Sequence, residues 1–500
     1  MSNKRKDLSM TTTLYWHDYE TFGANPRADR PAQFAGVRTD EALNEIGKPL
    51  VIYCKPPRDI LPQPAACLIT GITPQLTDTQ GLPESEFIDK IHTELVRPGT
   101  CGSGYNTLRF DDEVTRHTLY RNFFDPYARE WQNGNTRWDI IDLVRMTYAL
   151  RPSGIEWPQR EAQQEKQTEH DVVNLVPSFR LEDLTAANGI MHGAAHDALS
   201  DVRATIGLAR LLHNRQPRLY HWLFQLRYKR RAVELLDVAR HTPVVHSSRM
   251  YPAKTGCTTL VMPLAVETDN QNSFLVYDLR HDPEEFLDLD IAALSQLLFT
   301  RTGDLPDGAR RLPVKSVKVN KCPALAPRNT LNAQAAEHIE IDLGSCQRHW
   351  QKLAGHCAQT DFAQRIALAY GSKTYELTGD VDLALYDGFI DQADVPLLAQ
   401  IRRSSPQELA QARFDFHDRR LPELLFRYRA RNWPATLSLE DTQRWQRLRR
   451  QRLLQTPGND LTLDAYRAQI ASLRHDNADN VKALEILDAL SRWGNDLMNF

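Results

Sequence analysis

Hydrophobic and polar residues follow two kinds of pattern in the first part of the chain. Strand-like runs cover residues 14–21 and 50–53, and runs with the period of a helix cover 84–95, 112–124 and 197–212. Strands that alternate with helices in this way are typical of a layered α/β domain. We therefore predict one such domain over residues 12–214.

The pattern changes twice in the rest of the chain. The second region begins with a basic helical segment and then becomes strand-rich, at residues 258–266, 273–279 and 313–319. In the last of these strands, Lys315 and Lys318 are three residues apart, so a regular strand would point them to opposite faces. The third region is helix-rich to its end. Three domains, over 12–214, 215–371 and 372–500, fit a chain of 500 residues.

Composition limits the class of protein. The hydrophobic fraction of 41% and the charged fraction of 25% are those of an ordinary globular protein. The first ten residues are polar and basic, and no apolar run reaches the roughly 18 residues of a membrane span, so we expect neither a secretory signal nor a membrane segment. Seven scattered cysteines without a C-x-x-C pair argue against a disulfide framework and a structural zinc site. We expect a reduced, cytoplasmic protein.

The first predicted strand contains two acids with strand spacing. Residues two apart share a face, so Asp18 and Glu20 project together, while Tyr15, His17 and Tyr19 point away. Adjacent carboxylates repel each other unless a cation lies between them. Ligands that offer only oxygen suit Mg²⁺ or Mn²⁺. The ordinary alternative is a strand end with two solvated acids.

Two further acidic segments follow at predicted helix starts. Asp111 comes directly after Phe110, where the helix dipole also favours acids. His196 and Asp201 are five residues apart, about 140° around a helix, so they converge only if His196 precedes the helix. Taken singly, each segment is explained by helix capping. Taken in order, they supply carboxylates for two metals about 4 Å apart and an imidazole that can deprotonate water.

Longer stretches around these acids carry a family resemblance. The three acidic segments resemble the signature of DEDD-type 3′–5′ exonucleases with a histidine in the last motif. Over nearly the whole chain the sequence resembles the bacterial exonuclease I family, at residues 17–23, 29–35, 53–56, 61–64, 69–75, 109–116, 125–127, 178–182, 188–190, 320–323 and 428–432. The resemblance implies a mixed α/β fold with an RNase H-like exonuclease domain, an SH3-like β-rich middle domain and a helical C-terminal domain.

The resemblance also implies a set of catalytic residues and an activity. Two Mg²⁺ ions, with Mn²⁺ as a substitute, would be held by four acids, Asp18, Glu20, Asp111 and Asp201. His196 would deprotonate the attacking water, and Glu20 and Arg180 would contact the terminal nucleotide. The implied activity is processive 3′ to 5′ degradation of single-stranded DNA to nucleoside 5′-monophosphates, in DNA repair and recombination.

A DNA path is implied in the same way. A single-strand binder needs cations for phosphates and aromatic faces for bases. The positions that match the family are Arg116, Tyr127, Trp131 and Arg145, and basic stretches further along the chain add Lys229, Lys315 and Lys318. The net charge of −3 does not oppose this, because phosphate responds to the local patch. Any single basic cluster also fits a solvated helix face. The resemblance further implies single-stranded-DNA-binding protein as a partner, and we expect a monomer.

The sequence departs from the family pattern at two places. Thr107 stands where the superfamily usually has Asn, which puts a local hydrogen bond in doubt. A polar stretch at residues 159–174 is predicted to be an exposed insertion without an assigned role.

One alternative function is that of an RNA-trimming exonuclease of the same superfamily, although such enzymes are usually much shorter. The other is a non-catalytic scaffold that binds single-stranded DNA, which the complete set of acids and histidine argues against.

Overall fold

The structure is a computed structural model that describes residues 12–162, 175–193, 197–306, 308–371, 377–455 and 461–498. Its strands are β1 (Thr13–Thr21), β2 (Pro31–Thr39), β3 (Leu50–Tyr53), β4 (Thr100–Gly104), β5 (Thr136–Asp139), β6 (Gln159–Glu161), β7 (Leu175–Pro177), β8 (Val244–Ser247), β9 (Thr258–Glu267), β10 (Asn270–Asp278), β11 (Val314–Lys318) and β12 (Ala324–Pro327).

The helices of the described residues span most of the remaining chain. They are α1 (Pro64–Thr70), α2 (Pro74–Gln80), α3 (Glu84–Leu95), α4 (Asp111–Arg121), α5 (Ile141–Leu150), α6 (Leu181–Ala187), α7 (Ala198–Arg215), α8 (Pro217–Gln225), α9 (Lys229–Leu235), α10 (Ile291–Phe299), α11 (Ala333–His338), α12 (Leu343–Gln359), α13 (Phe362–Gly371), α14 (Val395–Arg403), α15 (Pro406–Gln411), α16 (Leu421–Asn432), α17 (Leu439–Leu454), α18 (Leu463–Asp476) and α19 (Val481–Asp496). No described helix has both the length and the apolar character needed to cross a membrane.

The chain forms two compact units that do not follow its order in sequence. The first unit comprises residues 1–136, 192–203 and 376–500, and the second comprises 137–191 and 204–375. The division passes through β5 and α7. The boundaries proposed from the sequence at residues 214 and 371 stay predictions.

In the first unit, β1 has a paired neighbour on each side. It pairs antiparallel with β2, which pairs in turn with β3, and parallel with β4. The register places Asp18 opposite Ala35 and Glu20 opposite Gln33, and it shifts between Glu20 and Thr21. The two acids are therefore held on an interior strand, where the end of regular pairing comes directly after Glu20.

The other face of β1 packs into the core. The rings of Tyr19 and Phe34 lie 4.9 Å apart in an edge-on contact, and Phe87 of α3 packs against both. Tyr15 and His17 are also buried on this side, each stacked on Phe34. The predicted separation of acids from aromatic residues is confirmed. Each large apolar side chain buried here contributes about 1.5–3 kcal/mol.

The second unit contains an antiparallel sheet of five strands. Their order is β11-β10-β9-β8-β12. The strands predicted at 258–266, 273–279 and 313–319 correspond to β9, β10 and β11. In the polar stretch, β6 pairs with β7, and Gln159 and Glu161 are exposed. The rest of that stretch, residues 163–174, lies outside the described residues.

Several predicted elements differ at their ends or were not foreseen. Residues 84–95 and 50–53 form α3 and β3 as predicted. The helix predicted to reach residue 124 ends at Arg121, and Phe123 has a positive φ of 61°, which no continuing helix allows. Strand β2 was missed because all nine of its residues are buried, so it lacks the alternation of a half-exposed strand.

Buried ion pairs fix the C-terminal segment within the first unit. Asp382 is 1% exposed and accepts hydrogen bonds from Arg431 at 2.6 Å, Arg427 at 3.0 Å and Arg30 at 3.2 Å. Asp59 also accepts from Arg431, at 2.7 Å. Burial acts to raise the pKa of Asp59, but the neighbouring guanidinium groups outweigh it and lower that pKa to about 2. These acids therefore stay ionised in the folded protein.

Replacing Asp59 by Asn tests this network. The variant leaves Arg431 and Arg452 short of one buried counter-charge, so we expect the free energy of unfolding at pH 7 to fall by about 3–5 kcal/mol. Because the folded pKa of Asp59 lies below its ordinary value of 3.8, wild type keeps this contribution above about pH 4 and loses it as the pH falls towards 2. The difference between wild type and variant should therefore shrink at low pH, as measured by urea unfolding.

Asp78→Asn is the matched control. Its pair with Arg58 joins side chains that are 35% and 46% exposed, so we expect a loss below about 1 kcal/mol. Equal losses in the two variants would contradict the importance of the buried network.

Candidate active site

Three carboxylates converge in the first unit. Asp18 and Glu20 come from β1, and Asp201 comes from the first turn of α7. One oxygen from each lies within 4.8 Å of the others. Within the part of the chain that the structure describes, no other His, Cys, Asp or Glu side chains form such a group of three. The donor atoms are all carboxylate oxygens, the type that hard divalent cations prefer.

The electrostatics of this group also fit a cation. Burial, followed by the charges of Asp111 and Glu20, raises the pKa of Asp18 well above its usual value. Burial, followed by the charges of Asp201 and Asp111, raises the pKa of Glu20 to about 8. The acids therefore repel one another strongly when all are ionised. A divalent cation among their oxygens would remove that cost.

Asp111, the fourth acid of the predicted set, lies beside the three. It is the first residue of α4 and is 3% exposed. Its Oδ1 accepts a hydrogen bond from the backbone N–H of Tyr19 at 3.0 Å, which ties the start of α4 to β1. Its charge acts on Asp18 and Glu20, as their raised pKa values show, but Asp111 does not belong to the group within 4.8 Å.

Sequence reasoning missed two residues next to this group. Asp197 precedes α7, accepts a hydrogen bond from the N–H of Ser200 at 3.1 Å, and adds to the raised pKa values of Asp18 and Glu20. Nε2 of His192 lies 2.5 Å from Oδ1 of Asp201. The position of Asp197 just before a helix, four residues before Asp201, was a usable signal. His192 lies nine residues before Asp201 outside any periodic element, so no spacing rule would have paired them.

His196, the predicted general base, lies outside the described residues. The helix that follows begins at Ala198. The role predicted for His196 stays a prediction.

Thr107, at the position where Asn was expected, contacts the core histidine. Its Oγ1 lies 3.5 Å from Nε2 of His17, whose Nδ1 lies 3.3 Å from the carbonyl oxygen of Tyr15. Burial lowers the pKa of His17 to about 4. A neutral imidazole near pH 7 therefore faces the hydroxyl, and the position keeps a polar contact after the exchange of Asn for Thr.

The candidate DNA-binding residues of the first unit differ in their exposure and in whether their charges are already paired. Arg116 is 6% exposed and donates to Glu130 at 2.7 and 2.8 Å and to Glu113 at 2.9 Å. Its guanidinium also lies over the ring of Tyr127, 5.4 Å from the centroid. Trp131 is 65% exposed. The indole is therefore open to a base, whereas the charge of Arg116 is already matched by acids.

Two predicted arginines lie in the second unit. Arg180 is exposed, and its guanidinium is 3.6 Å from the carboxylate of Glu182. Arg145 is buried in α5 and donates to Asp142 at 2.6 Å. Arg180 therefore offers an accessible cation, and Arg145 offers one that is already paired.

The predicted lysines of the second unit also differ. Lys229 begins α9 and is exposed. Nζ of Lys315 lies 3.3 Å from Nε2 of His246 and over the ring of Tyr251, whereas Lys318 is exposed. The two β11 lysines therefore differ in exposure, as expected for opposite faces of a strand.

Comparison with known proteins covers almost the whole chain. A family described as "Exonuclease" matches residues 15–209, "Exonuclease I SH3-like domain" matches 227–372, and "Exonuclease I C-terminal domain" matches 379–497. Exodeoxyribonuclease I of Escherichia coli strain K12 is 42% identical over 492 residues, 98% of this chain and 99% of that protein. The chain belongs to the exonuclease I family. Exodeoxyribonuclease I of Haemophilus influenzae is 40% identical over 491 residues, 98% of each chain.

Solved structures of the exonuclease I family agree with the fold. Exonuclease I from Methylocaldum szegediense superposes with a TM-score of 0.90 at 49% identity, covering 97% of this chain and 100% of that one. E. coli exonuclease I in complex with a dA16 oligonucleotide gives 0.89 at 43% identity, covering 97% and 100%.

Membership of the exonuclease I family confirms several predictions. The fold class is confirmed, with an exonuclease domain, an SH3-like domain and a helical C-terminal domain. The chain is an exonuclease, and the exonuclease domain together with the three acids indicates that a divalent metal is required.

Glu20→Gln tests the electrostatic cost of the site without metal. The pKa of Glu20 rises from an ordinary 4.5 to about 8 in the folded state, so metal-free wild type loses stability as the pH rises through that window. The variant lacks this loss, and we expect it to be more stable at pH 8 by roughly 2–4 kcal/mol and nearly unchanged at pH 5. Chemical unfolding in chelator measures the difference.

Glu41→Gln, at an exposed position of the same unit, is the control and should change stability at neither pH. If wild type and Glu20→Gln lose the same amount of stability between pH 5 and pH 8, the repulsion among the acids is refuted.

Proposed function

We propose that this exonuclease degrades single-stranded DNA processively in the 3′ to 5′ direction and releases nucleoside 5′-monophosphates. The convergence of Asp18, Glu20 and Asp201 is the observation that carries this proposal. A family member crystallised with a dA16 oligonucleotide supports the substrate class. An RNA-trimming enzyme is the weaker alternative, because the similarity extends through the middle and C-terminal domains.

The proposed cofactor is Mg²⁺, two ions per site, with Mn²⁺ as a substitute. Asp18, Glu20 and Asp201 would hold it, with Asp111 completing the set. When bound, divalent cations at such a site supply Lewis-acid stabilisation of the attacking and leaving oxygens of the phosphodiester. A relative has also been solved in a zinc-bound form with single-stranded DNA.

The chain itself would position the acids and move the proton. The N–H of Tyr19 holds Asp111 against β1, and the imidazole of His192 contacts the Asp201 carboxylate. His196 would accept the proton of the attacking water, since an imidazole changes its protonation near neutral pH. Glu20 and Arg180 would contact the terminal nucleotide.

The proposed DNA path combines aromatic and cationic residues. Bases would stack on exposed aromatic faces, and phosphates would meet exposed cations. The proposed residues are Arg116, Tyr127, Trp131, Arg145, Lys229, Lys315 and Lys318. Among them, the exposure of Trp131, Lys229 and Lys318 supports direct contact most strongly.

Partners, domains and cellular role complete the proposal. A related structure is described as SSB/exonuclease I in complex with the inhibitor CFAM, and we propose single-stranded-DNA-binding protein as a partner here. We also propose a monomer that acts in DNA repair and recombination in the cytoplasm. The domains would span 12–214, 215–371 and 372–500, which the matched ranges 15–209, 227–372 and 379–497 support.

Asp18→Asn tests the catalytic site. Two single strands of one sequence carry a label at the 3′ or the 5′ end and are incubated with Mg²⁺ or with chelator. Wild type should release the 3′ label first, as a mononucleotide and only with metal, and should act little on blunt duplex. Loss of a metal ligand should slow release by at least about 100-fold, whereas Glu41→Gln should leave it unchanged.

Each departure from that pattern has a distinct meaning. Undiminished release by Asp18→Asn would refute the metal mechanism. Earlier release of the 5′ label would show that degradation runs in the 5′ to 3′ direction. Equally fast cleavage of RNA would favour the RNA-trimming alternative.

Trp131→Ala tests the proposed DNA path. Loss of base stacking should weaken binding of a fluorescent single strand by about 1–3 kcal/mol, roughly 5- to 150-fold. The measurement is made in chelator so that the strand is not degraded. Leu439→Ala is the control, because Leu439 is also apolar and is 77% exposed. A loss no larger than that of the control would remove Trp131 from the path.

A further inference from the structure

Gln33 is a buried amide on the strand next to the catalytic acids. It lies in β2, directly opposite Glu20 of β1, and is 3% exposed. Residues directly opposite each other in an antiparallel pair project from the same face of the sheet, so the amide lies on the face that carries Asp18 and Glu20. A buried amide needs hydrogen-bond partners, and two of those of Gln33 lie outside the sheet.

The amide of Gln33 reaches the start of α7. Its Oε1 accepts a hydrogen bond from the backbone N–H of Ala198, and its Nε2 donates to Oδ1 of Asp197, each at 3.4 Å. Nε2 also donates to the hydroxyl of Tyr53, at 3.4 Å. A side-chain amide has two N–H donors and one carbonyl acceptor, so both kinds of group are engaged. A carboxylate at this position would have no donor for Asp197, and an apolar side chain would have neither group.

Asp197 connects this contact to the third metal ligand. Its Oδ2 accepts a hydrogen bond from the N–H of Ser200 at 3.1 Å, and its carbonyl oxygen accepts one from the N–H of Asp201 at 3.0 Å. The carboxylate that Gln33 contacts therefore caps the same turn of helix that carries Asp201. A displacement of Asp197 would move the Asp201 carboxylate relative to the two acids of β1.

Two other contacts of this segment do less to fix it against the strands. Residues 192–203 belong to the first unit, whereas α7 from residue 204 onward belongs to the second. Arg203 lies 3.4 Å from Glu45, but their side chains are 51% and 35% exposed, and an ion pair at the surface contributes little. The contact of His192 with Asp201 lies within the segment itself. Gln33 therefore provides a buried connection between this segment and β2.

We propose that Gln33 is a positioning residue, which holds the start of α7 so that Asp201 meets the two acids of β1 within reach of one divalent cation. The inference rests on the proposed function, in which these acids hold Mg²⁺ or Mn²⁺. Loss of the amide would leave every metal ligand in the chain but would release the turn that carries the third. Groups that orient metal ligands account for about 10–100-fold in metal affinity. Because Gln33 acts through Asp197, we expect the lower end of that range.

The test is a calorimetric titration of the whole enzyme with Mn²⁺ alone, in the absence of DNA. Gln33→Met keeps the approximate length of the side chain and removes its amide, and we expect it to weaken Mn²⁺ binding about tenfold. Asp18→Asn, which removes a ligand, should weaken binding further and so shows that the titration reports on the acids. Gln33→Asn keeps the amide on a shorter stem. Since the contacts are already 3.4 Å long, this variant should not reach α7 and should lose affinity in the same way.

Gln75→Met is the matched control. Gln75 of α2 also joins two elements of the first unit, because its Nε2 donates to the carbonyl oxygen of Ala489 in α19 at 2.6 Å. Urea unfolding in chelator measures the stability of both Met variants, and only Gln33→Met should also lose Mn²⁺ affinity. A merely structural role for Gln33 would leave the Mn²⁺ affinity of the folded variant unchanged.

A double-mutant cycle tests the route through Asp197. Residues that act through one network have non-additive effects. Gln33→Met should therefore weaken Mn²⁺ binding clearly less in an Asp197→Ala background than in wild type. Equal effects in the two backgrounds would overturn this route.

The outcomes distinguish failure of this role from failure of the proposed function. Unchanged Mn²⁺ affinity in both Gln33 variants overturns the positioning role, even in an enzyme that degrades single-stranded DNA. Absence of Mn²⁺ binding in wild type, or wild-type affinity in Asp18→Asn, overturns the proposed metal site and the role of Gln33 with it. Mn²⁺ binding that depends on Gln33 in an enzyme that degrades no DNA refutes the proposed function alone.

Discussion

Repulsion among clustered carboxylates is the constraint around which the first unit is built. Asp18 and Glu20 lie on one face of β1, and Asp201 and Asp111 approach from two helices, where their charges raise the pKa values of Asp18 and Glu20. A flexible segment would relieve such repulsion by moving apart. Strand β1 cannot, because it is hydrogen-bonded on both sides and its aromatic face is packed against Phe34. The rigid strand therefore keeps the acids close together, and this arrangement favours the binding of a cation between them.

The sequence predicted a helix or strand most clearly where one face of the element is exposed and the other is buried. The helix at 84–95 showed a clear period because one side of it is buried and the other meets solvent. Strands β9 and β10 of the middle region are buried over most of their length, so they show no such alternation. Strand β2 gave no such signal, since both of its faces are covered. The end of α4 was also missed, because the positive φ of Phe123 depends on its surroundings and not on the residue type.

The site followed from the sequence where the ligands lie within one element or begin one. Asp18 and Glu20 were paired by strand spacing, and Asp201 was placed by family resemblance rather than by any local pattern. The contact of His192 with Asp201 depends on the path of an irregular segment, which spacing cannot give. The pairing of Arg116 with Glu130 likewise arises only in three dimensions. The sequence therefore identified the type of site, but it did not show which charged side chains are already paired.

The hydrogen bond between Arg30 and Asp382 joins residues separated by 352 positions. At a synthesis rate of about 5–20 residues per second, roughly 20–70 s pass on the ribosome before the acid follows the arginine. Until residue 382 has been synthesised, Arg30 lacks this carboxylate as a partner. The buried pair can therefore form only in a chain that extends past residue 382.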